Sequence, residues 1–217
     1  MPSTRVVFSK REFVHETLRT EIIDGVRRPG ERLVIDDIAA EFAVSPIPVR
    51  EALQQLQADG LVVIEPYVGT RVSEIHVGLI EEVFALLESL EIISSQHACR
   101  RMDEEHLAHL EALLHRMDDS LDDLDTWSDT NVAYHQYIVD KSGLSLVPAM
   151  LSQVLDQWQR FRRHYLDDDL AGRAAEAQRE HWQLYEALRT RDPAHIRDVI
   201  QAHNKLALDA YRQYLNQ

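Results

Sequence analysis

Apolar positions in the first sixty residues recur at the three- and four-residue spacing of helices. Between Lys10 and Gly25 they fall at Phe13, Val14, Leu18, Ile22 and Ile23, which predicts one helix with a single buried stripe, stopped by Gly25. After the turn at Arg27-Arg28-Pro29-Gly30, Asp36 is an N-cap candidate for a short helix over 37–42, with Ile38, Ala39 and Phe42 inward. Ser45 can cap a third helix, in which Pro46 suits the first turn and Val49, Ala52, Leu53 and Leu56 form the buried face before Gly60 stops it. The period then changes. Residues 61–64 and 70–72 are β-prone runs around Glu65-Pro66-Tyr67-Val68-Gly69, which predicts a hairpin whose tip needs a residue tolerant of positive φ, a need that Gly69 meets. Three helices and a hairpin predict a winged helix-turn-helix over residues 8–75.

Beyond residue 77 strand signals vanish. Amphipathic stretches at 79–102, 104–121, 126–141, 146–165, 171–190 and 193–215 predict an all-helical antiparallel bundle over 79–213. Breaks fall at Ser142-Gly143, Asp167-Asp168-Asp169 and Arg191-Asp192-Pro193. The expected fold class is therefore mainly α, a winged helix with a small hairpin followed by a helical bundle.

Composition supports two folded domains: 217 residues, 45% hydrophobic and 28% charged, exclude a disordered chain. The net charge of -14 argues against indiscriminate binding to nucleic acid, but it is unevenly spread. Residues 1–75 carry nine Lys or Arg against twelve Asp or Glu, and the remainder fourteen against twenty-five, so most of the acidity lies in the second part. No apolar run approaches the ~20 residues of a membrane span, and Met1-Pro2-Ser3-Thr4-Arg5 lacks a secretory pattern, so a cytoplasmic location is expected. Cys99 is the only cysteine, which excludes an internal disulfide or a thiolate cluster. Any metal must use His, carboxylate or amide ligands.

In a helix-turn-helix the second helix of the pair presents its N-terminal side chains to the major groove. Here that helix begins at Ser45, with Ser45, Ile47, Arg50, Gln54 and Gln55 outward. Arg50 can read guanine or clamp a phosphate, and its alternative use is an ion pair with Glu51. Val44-Ser45-Pro46-Ile47-Pro48-Val49-Arg50-Glu51-Ala52-Leu53, followed by Leu56 and Gly60-Leu61, resembles the GntR family of bacterial transcription regulators, as does Pro29-Gly30-Glu31-Arg32-Leu33. The likeness covers about residues 8–75. It implies that Arg32 and Arg50 contact DNA, with Ser45 and the wing at Gly69 and Arg71 approaching the backbone or minor groove. Pro46 and Ile47 stand where the family often has an Arg and a Thr that contact DNA. A winged helix this poor in basic residues is expected to act as a homodimer on a pseudo-palindromic operator.

The chain has eleven histidines. His106, His109 and His115 lie in a polar helix and read as solvated. Asn131 and His135, four apart, share a helix face, while the helices of His181 and His203 fold back on each other at Asp192-Pro193, so all four can converge. Neutral imidazoles with an oxygen ligand suit Zn, Ni, Mn or Fe, and buried histidines that only hydrogen-bond are the plainer reading. Asn131-Val132-Ala133-Tyr134-His135, then Glu180-His181, Asp192 and His203, resemble the FCD effector domain of the FadR subfamily of GntR regulators over about 79–210. The resemblance implies one divalent transition metal held by Asn131, His135, His181 and His203, assisting a small carboxylate effector. Asn131 stands where the family usually has Asp, which weakens the expected metal site, and Leu87 where many relatives place an Arg. Arg160 and Arg163 are candidates to supply that cation, solvent-facing positions being the alternative.

The expected function is a ligand-responsive DNA-binding regulator, with repression as the family-level default. One rival is a regulator whose helical domain binds no metal. Another is a helical metalloenzyme fused to a winged helix, against which stands the absence of any His-Glu-x-x-His, Gly-x-Ser-x-Gly or phosphate-loop motif.

Overall fold

A computed structural model describes residues 9–164 and 171–215. It divides into two compact units, residues 1–75 and 76–217. The first contains α1 (Lys10–Ile23), β1 (Arg32–Leu33), α2 (Ile35–Glu41), α3 (Pro46–Ala58), β2 (Val62–Glu65) and β3 (Gly69–Val72). The expected start of this domain at residue 8, the helix end at 165 and the break at 167–169 lie outside the described residues.

α1 is fixed at its start by reciprocal bonds: the Glu12 amide donates to Ser9 Oγ, and the Ser9 amide donates to the Glu12 carboxylate. Val14, Leu18 and Ile22 meet Val49, Leu53 and Leu56 of α3 in one core. Phe13, expected in the same stripe, is instead half exposed and packs edge-on against Phe42. Asp36 is not the N-cap of α2. The helix begins at Ile35 after Val34, leaving Asp36 and Asp37 in its first turn, where carboxylates still complement the positive end of the helix.

Ser45 occupies the N-cap position of α3, but its side chain makes no capping bond. Pro46 and Pro48 lack amide hydrogens, so the usual donor three residues on is missing. The hairpin forms as expected, and β1 adds a third strand in the antiparallel order β1-β3-β2. Arg32 pairs with Arg71 and Leu33 with Thr70, while Val63 meets Arg71 from the other side. Two residues are too few to show alternation in the sequence, which is why β1 escapes a reading by periodicity.

The second unit contains α4 (Val77–Ala98), α5 (Glu104–Asp118), α6 (Leu124–Ser142), α7 (Val147–His164), α8 (Ala171–Thr190) and α9 (Pro193–Leu215). α4 packs on α6, α7 and α9, and α8 on α5 and α9. α6 starts two residues earlier than its apolar pattern suggests because Asp123 caps it, accepting from the Thr126 amide. It ends at Gly143, whose φ of 72° carries the chain through the left-handed region. Trp127, Tyr134 and Ile138 bury one face of α6, and that anchoring turns Asn131 and His135 inward with them. Among the described residues no helix is long and apolar enough to cross a membrane.

Candidate functional site

Three histidines from three helices meet inside the second unit. His135 of α6, His181 of α8 and His203 of α9 each offer a nitrogen within 4.8 Å of the others. His135 Nε2 and His181 Nε2 are 3.2 Å apart. Two nitrogens about 2.0–2.1 Å from one metal and about 90–110° apart would be separated by about 2.8–3.4 Å, so this spacing suits neighbouring ligands of a single ion.

Carboxylates hold two of the rings. His135 Nδ1 lies 2.9 Å from Glu91 Oε1, and His203 Nδ1 lies 2.7 Å from Glu180 Oε2. A proton on each Nδ1 donates to its carboxylate and leaves Nε2 with a lone pair, the arrangement that orients imidazole ligands in metal sites. The carboxylates are themselves held. Asn204 Nδ2 donates to Glu91 Oε2 at 2.8 Å, and Arg173 donates to both Glu180 oxygens at 2.8 and 2.6 Å. Burial pushes the Glu91 carboxyl up, but the neighbouring His135 and His203 rings and the His135 and Asn204 hydrogen bonds outweigh it and hold it below the usual carboxylate range. Glu180 follows the same pattern, burial being outweighed by His203 and Arg173. His181 has no such partner: burial first, then the proximity of His203, His135 and Arg173, holds it well below the ordinary imidazole value, which favours its neutral form.

Asn131 lines the same cavity, and its Oδ1 is buried and accepts no hydrogen bond. A neutral oxygen donor beside three imidazoles fits a divalent transition metal, and the orphaned Oδ1 is the observation of this structure that favours it.

The expected cationic residues are placed differently. Arg160 is buried against Gln157, Arg163 lies toward Asp125 and Asp129, and neither lines the cavity. Successive side chains on a helix point about 100° apart, and it is Arg162 of α7, with Arg173 of α8, that lines it instead. Glu91, Asn204 and Arg173 were not singled out by sequence. The one available signal was Glu91, a charge set among Leu87, Leu90 and Ser94 on the inward face of α4. Asp192 caps α9 by accepting from the Ala194 and His195 amides. Of the three histidines expected to be solvated, His109 and His115 are exposed, His109 stacking on Tyr137 at 4.2 Å and His115 meeting the Trp182 ring, while His106 is half-buried and completes the cap of α5.

In the first unit Arg32, Ser45, Arg50 and Arg71 are all exposed. Arg50 makes no ion pair with Glu51 or any other described residue. Gly69, at φ 122°, opens β3, and a side chain there would approach the Arg32 guanidinium. Tyr67, absent from the sequence candidates, stands fully exposed at the wing tip with φ 65°, a left-handed conformation that is costly for a bulky residue.

Residues 10–72 match the model of bacterial regulatory proteins of the gntR family, and residues 82–206 match the FCD domain. BphR of Paraburkholderia xenovorans (strain LB400), described as an uncharacterized HTH-type transcriptional regulator, is 24% identical over 94% of this chain and 85% of its own. The HTH-type transcriptional repressor RspR of Escherichia coli (strain K12) is 23% identical over 92% of this chain and 88% of its own. The solved structure of E. coli McbR/YncC superposes with a TM-score of 0.80 at 21% identity, covering 96% of this chain and all of that one, which shows a shared fold. BphR and RspR are both named as HTH-type transcription regulators. The chain belongs to the gntR family of bacterial transcription regulators and carries an FCD domain as its helical half.

Proposed function

We propose that this regulator is a FadR-type repressor, acting as a cytoplasmic homodimer on a pseudo-palindromic operator and released or retained by a small carboxylate bound at a metal. Residues 8–75 would bind DNA, and residues 79–213 would bind the effector and dimerise. The observation that carries the effector half is the convergence of His135, His181 and His203 on a cavity also lined by Asn131, whose buried Oδ1 accepts no hydrogen bond. These four residues would hold one divalent ion, Zn, Ni, Mn or Fe. When bound it supplies a Lewis-acid point for a carboxylate oxygen. Glu91 and Glu180 keep the His135 and His203 rings oriented, and Arg173 keeps Glu180 in place.

In the DNA-binding half, Arg50 would reach base edges from α3. Ser45, with its hydroxyl not spent on capping, would meet the backbone beside it. Arg32, Gly69 and Arg71 would form an arginine-bearing edge on the wing sheet, approaching phosphates, and Tyr67 would extend from its tip. Repression agrees with the name of RspR.

Effector and operator would be linked by a coupling of about 1–3 kcal/mol, typical of allosteric proteins. The test is to select an operator from random DNA with the metal-loaded protein and to titrate it by fluorescence anisotropy with and without small carboxylates. A carboxylate that binds the loaded protein and shifts operator affinity supports the reading. Carboxylate binding without any shift would remove the switch, and failure to select a preferred DNA site would remove the DNA-binding role.

A further inference from the structure

The outward side chains of α3 are of two kinds. Between Arg50 and Gln57 the exposed ones are all polar: Arg50, Glu51, Gln54, Gln55 and Gln57. The first turn is apolar, with Pro46 and Ile47 exposed and Pro48 half-buried. Ile47 is 67% exposed and stands apart from the core that Val49, Leu53 and Leu56 join. Its pose is nevertheless restricted. Pro46 and Pro48 each hold φ near about -65°, and a β-branched side chain in a helix has one strongly favoured χ1 rotamer, so Ile47 has little conformational freedom left to lose on contact.

A helix that enters the major groove excludes water from the nitrogen and oxygen atoms of base edges, and these then need partners. The side chains of Pro46, Ile47 and Pro48 supply none. The two prolines also withhold amides that a helix start offers to phosphate, so beyond the Ser45 hydroxyl and the Ile47 amide this turn has little to give the DNA backbone. One group in the groove suits such a surface: the C5-methyl group of thymine.

Resting on the reading of α3 as the helix that enters the major groove, we propose that Ile47 is a specificity-determining residue that reads thymine, its side chain packing on the C5-methyl group. Ile47 and Arg50 are three residues apart and share a face, about 4.5 Å along the helix axis. At about 3.4 Å per base-pair step, the thymine lies one or two base pairs from the base that Arg50 reads.

The experiment uses full-length protein. An operator is selected from random DNA, and each of its thymines is replaced in turn by deoxyuridine, which keeps the base pairing and lacks only the methyl group. Affinities are read by fluorescence anisotropy for wild type, Ile47→Val, Ile47→Ala and Arg50→Ala, and thermal melts check that the variants fold. Loss of the methyl contact is expected to weaken wild-type binding about three- to tenfold at one thymine position of the half-site. Ile47→Val should keep most of that discrimination, and Ile47→Ala should bind the thymine and deoxyuridine sites within about twofold of each other. Arg50→Ala should weaken binding to both sites and keep the wild-type ratio between them. A selected site with no thymine sensitive to deoxyuridine, a sensitivity that persists in Ile47→Ala, or a ratio that collapses in Arg50→Ala as well would overturn the thymine proposal and leave the DNA-binding role standing. Failure to select any site would overturn that role, and the proposal with it.

Discussion

Arg32 and Arg71 face each other across the β1–β3 pair, both exposed. Like charges directly opposite on antiparallel strands destabilise a sheet by about 0.2–1 kcal/mol, and a DNA phosphate would relieve that repulsion. Arg71→Ala should therefore leave the melting temperature unchanged or raise it, while weakening operator binding and lowering the slope of log affinity against log salt by about 1. Arg50→Ala should differ, costing about 1–3 kcal/mol at the operator and relaxing preference at one base position. Anisotropy titrations at several salt concentrations separate the two effects. An unchanged affinity in both variants would exclude this face from DNA binding.

Tyr67 poses the same trade between stability and contact. Its positive φ costs energy, and its side chain is fully exposed. Tyr67→Asn, a residue that tolerates the left-handed region, should stabilise the protein by up to about 1 kcal/mol in urea unfolding and weaken operator binding. Stabilisation with unaltered DNA affinity would show the tip to be a plain turn.

Gly143 closes α6 at φ 72°, and a Cβ there would fall 2.7 Å from the Arg101 guanidinium carbon. Arg101 can move aside, so the left-handed backbone sets the cost. Gly143→Ala should lower stability by about 1–2 kcal/mol, and Gly143→Asn should recover part of it, as read by chemical denaturation. Loss of the α6 end should also loosen the histidine site that the helix carries.

Acidification should weaken the metal-free protein through His181. Its folded pKa is lowered, chiefly by burial, so between about 6.5 and that lowered value the unfolded chain holds a proton that the folded chain does not. The stability is complete above about pH 6.5 and is lost as pH falls through that window. Protons also compete with a metal for the imidazole nitrogens, so the stabilisation gained on adding zinc should shrink from pH 7.5 to about 5.5. Thermal melts across that range, with and without zinc, check both. A zinc-induced shift that grows on acidification would contradict histidine ligation.

Much of the fold was legible because helical spacing is set locally by which side chains must be buried. Val14, Leu18 and Ile22 in α1, and Val49, Leu53 and Leu56 in α3, declare their faces without tertiary information. Ends were harder: Asp36 reads as a cap by type, yet α2 starts one residue before it. The choice among arginines was not legible at all. Gln157, Arg160, Phe161 and Arg162 are all buried, so this end of α7 is enclosed nearly all round and its pattern has no solvent stripe from which to read a face. Glu180 likewise looks like a surface charge until the imidazole it holds is placed beside it, and Glu91, although set on an apolar face, does not reveal which ring it holds. The convergence of His135, His181 and His203 followed from helix reversal at Asp192-Pro193, but the carboxylates and Arg173 behind them follow only from the packing of α4, α8 and α9.

The most direct test of the metal-assisted site is elemental analysis of tag-free protein purified without chelator, together with His135→Ala and the more exposed His203→Ala. The account predicts about one Zn, Ni, Mn or Fe per chain in the parent and its loss in both variants, with circular dichroism showing the helices retained. A parent protein that stays metal-free after reconstitution, or variants that hold as much metal as the parent, would contradict it.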